Sequence, residues 1–137
     1  MYTLLYTSVA TDELDSQDLG TLLREARAAN EGMSITGMLL YKGGNFMQLL
    51  EGEQTAVQRL SQRIARDARH ERMFTLLAGD IVDRQFPDWS MAFQDLGNEP
   101  LRGTPGFSTF METEGMPDAS LTCSDRAHRL MQAFRAT

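Results

Sequence analysis

The order of elements in this 137-residue chain predicts an α+β fold, a ferredoxin-like βαββαββ arrangement in which two helices cover one face of a mixed five-stranded sheet. Three observations carry that prediction. The run Tyr2–Val9 (YTLLYTSV) is apolar, β-branched and short, as a buried strand should be. Two further apolar runs within Ile35–Glu51 are split by Lys42-Gly43-Gly44, the mark of a hairpin. Between these strands lie two segments, 16–30 and 53–66, whose apolar residues recur at helical spacing.

Taken in order, Tyr2–Val9 is the first strand. The acidic, polar ATDELDSQDLG that follows suits a loop and a helix start: Asp15 or Ser16 caps, and Asp18 in the first turn complements the helix dipole. Leu19, Leu22, Leu23 and Ala26 form the apolar stripe of a helix over 16–30. Asn30-Glu31-Gly32 closes it, with Asn30 as a C-terminal cap and Gly32 in the left-handed conformation. Strands over 35–42 and 45–51 make the hairpin. Glu53–Arg66 is the second helix, with Val57, Leu60 and Ile64 on one face. A strand over 73–81, a turn at Phe86-Pro87-Asp88 and a short strand over Ser90–Leu96 complete the sheet.

The last third reads differently. Gly103–Glu112 places Thr104, a cap residue, before Pro105 at the first helical position, and gathers Phe107, Phe110 and Met111 on one face. Ser124 caps a final helix bearing Ala127, Leu130, Met131 and Phe134. The chain thus divides into a sheet-and-helix domain over 1–97 and short helices over 98–137. Those helices need an apolar surface to cover, either the bare face of the sheet or a partner subunit.

Composition narrows the function. Net charge is -6 with no basic cluster, which argues against nucleic acid as a partner. No apolar run approaches the roughly 20 residues that span a bilayer, and no basic-then-apolar signal opens the chain, so no membrane partner is expected and the cytoplasm is the expected location. The single cysteine, Cys123, excludes an internal disulfide and reads as an incidental thiol. No phosphate loop, Ser/His/Asp set, paired carboxylates or metal-ligand spacing occurs, so the chain does not read as an enzyme or a metal protein.

A few polar residues sit oddly in this plan. Gln48 interrupts the apolar run FMQLL, and burying a primary amide without partners costs a few kcal/mol. Residues two apart on a strand share a face, which groups Leu4, Tyr6 and Ser8 on the first strand and Phe46, Gln48 and Leu50 on the third. In a ferredoxin-like sheet those strands are neighbours, so the Tyr6 hydroxyl and the Gln48 amide can meet. On pattern alone this is a buried hydrogen bond that satisfies both groups. By the same standard Asp67-Ala68-Arg69-His70 reads as a solvated charged loop, and Trp89 and Met91 as apolar residues at an element boundary.

Together, however, LLYTS at 4–8, AANEG with ITGMLLY across 28–41, FMQLLEG at 46–52, RDARH at 66–70 and FPDWSM at 86–91 resemble the BLUF family of blue-light sensors, in order and spacing, over residues 1–97. The resemblance implies a flavin held non-covalently between the two helices, with FAD the expected form and FMN or riboflavin left open. It makes Tyr6 the light-driven electron donor, and Gln48 the amide between that phenol and the flavin N5/C4-carbonyl edge. Asn30 corresponds to the asparagine on the pyrimidine edge and Arg69 to the arginine near the C2 carbonyl. Arg63 and Asp67 match charged residues near the cofactor, Leu22 and Ile64 aliphatic residues on the two ring faces, and His70 a residue at the site's edge. Trp89 and Met91 match the family's signal-relaying pair. The implied output is a changed interaction with a downstream effector protein or within a homo-oligomer. Ala29 departs from the polar residue that many relatives carry there, and Ala26 from a small hydroxyl found in some members. The competing expectation is a light-insensitive ferredoxin-like interaction module. An acylphosphatase-like enzyme is disfavoured, since Thr7-Ser8-Val9-Ala10 offers no anion-binding arginine.

Overall fold

A computed structural model of the chain describes residues 1–12, 14–86, 92–95 and 123–136. Its elements are β1 (Tyr2–Ala10), α1 (Ser16–Gly32), β2 (Thr36–Lys42), β3 (Asn45–Gly52), α2 (Gln54–Ala65), β4 (His70–Asp80), β5 (Ala92–Asp95) and α3 (Cys123–Ala136). Strands β4, β1, β3 and β2 lie side by side in that order, each antiparallel to its neighbour, and β5 adds parallel to β2 at the edge. Pro87 and Asp88 of the expected turn and the expected helix over Gly103–Glu112 lie outside the described residues.

Local chemistry explains most boundaries. Asp15 caps α1: its side chain accepts from the Asp18 backbone N–H at 2.8 Å, and the Asp18 side chain accepts from the Asp15 N–H at 3.2 Å. At the other end the expectation needs correction. Asn30 and Gly32 lie inside the helix, and the left-handed residue is Ser34, at φ 54°. The Asn30 carbonyl accepts from the N–H groups of Met33 and Ile35, at 3.1 and 2.9 Å, so the helix closes two residues later and Ile35 leads straight into β2. The β2–β3 turn does use its glycines, Gly43 at φ 55° and Gly44 at φ 82°, the positive values a two-residue hairpin loop demands. Gly37 serves a second constraint: a Cβ there would lie 1.8 Å from the Leu49 carbonyl oxygen.

Strand β4 begins at His70, not at 73. Its first residues, His70-Glu71-Arg72, are polar because β4 is the sheet's edge, and its pairing with β1 slips twice, with Arg72 at φ 54° beside one slip. β5 is shorter than expected, four residues inside 90–96. α3 starts at Cys123, which puts Ser124 inside its first turn instead of at its cap.

Two cores form on the two faces of the sheet. Leu4, Leu39 and Leu50 pack beneath Leu19 and Leu23 of α1 and Val57 and Leu60 of α2. The alternate residues Leu5, Met38, Leu40, Met47 and Leu49 face the other way, against Phe86 and against Ala127 and Met131 of α3. Glu51 ties down the chain after β4. Fully buried, its carboxylate accepts from the backbone N–H of Gln85 and of Phe86 at 2.8 and 2.9 Å. Arg84 meanwhile donates to the Ser34 carbonyl, the Glu51 carbonyl and the Thr36 hydroxyl. Among the described residues no helix is long and apolar enough to cross a membrane.

Candidate functional site

The alternation along β1 and β3 brings Tyr6 and Gln48 directly opposite each other in register. Both are buried, at 3% and 5% exposure, and the Tyr6 hydroxyl donates to Gln48 Oε1. The amide that interrupts the apolar run is therefore satisfied by a phenol on the neighbouring strand. Burial, with a smaller contribution from the Asp67 carboxylate, pushes the Tyr6 phenol well above its ordinary value near 10, so it is neutral at any physiological pH.

Beside this pair opens a cavity of about 170 Å³ between the two helices and the sheet. Tyr6, Leu39, Phe46 and Gln48 form its sheet side. Helix α1 contributes Leu22, Ala26, Ala29 and Asn30, and α2 contributes Leu60, Arg63 and Ile64. Helix α1 also contributes Glu25, and the segment after α2 supplies Asp67, Arg69 and His70. Nine of the residues singled out in the sequence thus line one cavity. Trp89 and Met91 lie outside the described residues.

The segment 67–70 is a hydrogen-bonded knot where pattern alone suggested a solvated loop. Asp67 accepts from the Arg69 backbone N–H at 2.9 Å and grips the guanidinium through Nε and Nη2, at 3.0 and 2.6 Å. That grip from Arg69 holds the Asp67 carboxyl at about 2, and it raises the arginine in turn. On its other side, Arg69 Nη1 donates to Glu25 Oε2 at 2.7 Å. The His70 ring lies 6.2 Å from that of Tyr6, and its Nε2 donates to the Ile64 carbonyl, which fixes the imidazole against the end of α2.

Glu25, Leu39, Phe46 and Leu60 were missed as site residues. Glu25 follows Leu22 by three positions and so shares its edge of the α1 stripe, a signal that existed but that an exposed glutamate on a helix does not advertise.

The residues suit a flavin ring. Leu22 and Ile64 come from facing helices and offer aliphatic surfaces for two ring faces. Asn30 and Gln48 are buried amides, each with donors and acceptors, as the mixed donor–acceptor edge of the pyrimidine ring requires. Ala29 presents only a methyl group there.

Comparison with known proteins agrees. The family model described as sensors of blue-light using FAD, BLUF, matches residues 1–92. The photoactivated adenylate cyclase subunit beta of Euglena longa is 39% identical over 90 residues, 65% of this chain and 10% of that one. The dark-state structure of BlrB, a BLUF protein, is 31% identical with a TM-score of 0.69, covering 97% of this chain and 96% of the other. BlrP1 of Klebsiella pneumoniae with FMN and cyclic diGMP is 31% identical with a TM-score of 0.75, covering 98% and 35%. The chain spans a tenth of the cyclase's length and about a third of BlrP1.

Proposed function

The chain belongs to the BLUF family of blue-light sensors that use FAD, and from that premise we propose that the Tyr6–Gln48 hydrogen bond is its switch. The observation that carries this is the buried phenol-to-amide contact on the sheet side of the cavity. We read the βαββαβ core as ferredoxin-like with β5 added, a scaffold that places the two side chains on rigid neighbouring strands. Asn30 and Gln48 hold the edges of the ring, Leu22 and Ile64 its faces, and Arg63, Asp67, Arg69 and His70 the polar rim. FAD is the assigned cofactor, with FMN as the alternative.

When bound, the flavin supplies a ring that absorbs blue light and accepts an electron once excited. Tyr6 is the donor within the site. Its O–H already points at Gln48 Oε1, so a phenol that has lost an electron, and is then strongly acidic, passes its proton along that bond. As the phenol recovers, the Gln48 amide settles in a second orientation or tautomer, with its N–H group aimed differently. Met47 and Leu49, the chain neighbours of Gln48, project into the opposite core against α3, so a shift in β3 is felt there. Trp89 and Met91 join this output by resemblance. The product is an altered surface for an effector protein or for a second copy of the chain. The chain is read as a photosensory protein and not an enzyme; cyclase activity is left to the longer relative.

Absorption spectra of the purified, flavin-loaded protein before and after blue illumination test this. A reversible shift to the red is expected. A colourless protein that takes up no flavin would favour the light-insensitive module instead.

A further inference from the structure

Glu25 has no role in that reading, yet it lines the cavity with an exposed side chain. Glu25 and Arg69 both line the cavity with side chains 58% and 40% exposed, and Arg63 of α2 is an exposed lining residue as well. The sheet-side end is closed, with Tyr6, Gln48 and Asn30 all buried. Glu25 belongs to α1 and Arg69 follows α2, so their 2.7 Å ion pair joins the two walls between which a planar ring must slide.

The two acids hold Arg69 unequally. Asp67 grips it through Nε and Nη2, whereas Glu25 makes one contact, to Nη1. Asp67 therefore holds the guanidinium through more contacts than Glu25 does. An exposed pair with a single contact is weak and is screened by salt. Those are the properties of a closure that opens often and reseals.

We propose that Glu25 and Arg69 form a latch across the cavity mouth, which sets how fast the flavin enters and leaves. Here Glu25 is a positioning residue; it does not take part in the light reaction. The latch rests on the flavin-site reading, since it presupposes that the cavity holds the ring.

The test is the rate at which the full chain, loaded with FAD, releases it on dilution, followed by recovery of FAD fluorescence at low and at high salt. For the wild type, release accelerates as salt rises. Glu25→Gln releases FAD about two- to fivefold faster at low salt, the range that losing an exposed ion pair commands, and shows little further response to salt. Glu25→Lys, which places a cation against Arg69, is faster still at low salt. The latch is overturned if Glu25→Gln and Glu25→Lys release FAD at the wild-type rate with the wild-type salt response. A wild type that binds no FAD overturns the flavin-site reading along with the latch, so the two failures are told apart.

Discussion

Tyr6 owes its chemistry to its place in the sheet. Buried and donating to Gln48, its phenol is held neutral, and because its folded value is raised, this burial favours the folded state below about pH 10 and is lost above it. Asp67 behaves in the opposite sense. Its carboxyl is lowered from 3.8 to about 2, chiefly by the Arg69 hydrogen bonds, so its contribution to stability is complete above about pH 4 and fades as pH falls toward 2. Thermal unfolding followed across that window should show a steeper loss for the wild type than for Asp67→Asn. Equal slopes would mean that the knot at 67–70 does not stabilise the fold. The Tyr6–Gln48 pair was legible in the sequence because period-two alternation and strand order suffice to place both residues on one face. The Glu25–Arg69 pair was not legible: its partners are 44 residues apart, and nothing local marks which exposed glutamate will face which arginine.

At the scale of elements, the hairpin and the two amphipathic helices could be read directly, since paired glycines and apolar stripes are local signals. The end of α1 was misplaced because Gly32 invites a left-handed stop, while Ser34 takes it once the Asn30 carbonyl has been satisfied from beyond the helix. The start of β4 was hidden by its polar residues, which an edge strand tolerates. Glu51 was illegible for a different reason: it reads as the polar end of a strand, and only the return of residues 84–86 buries it. Burial raises its carboxyl despite the backbone N–H groups that oppose the shift, so its charge is the disfavoured part and its acceptor oxygens the useful part. Glu51→Ala should therefore cost about 2–3 kcal/mol by stranding two N–H groups, whereas Glu51→Gln, which keeps an acceptor, should cost less than half as much. Urea unfolding measures both. An alanine variant as stable as the wild type would show that the segment is anchored elsewhere.

In the molecule as a whole, one sheet separates two cores, with the cavity in the first and α3 over the second. Gln48 faces the first and its chain neighbours Met47 and Leu49 the second, so the strand that carries the proposed switch touches both cores. The central claim is that this switch is the phenol–amide contact and not the flavin alone. Light-minus-dark absorption of flavin-loaded Tyr6→Phe beside the wild type tests it most directly, since phenylalanine keeps the ring in the core but removes the hydroxyl. The account predicts a yellow variant whose spectrum does not shift under blue light while the wild type reddens. A full red shift in Tyr6→Phe would contradict it.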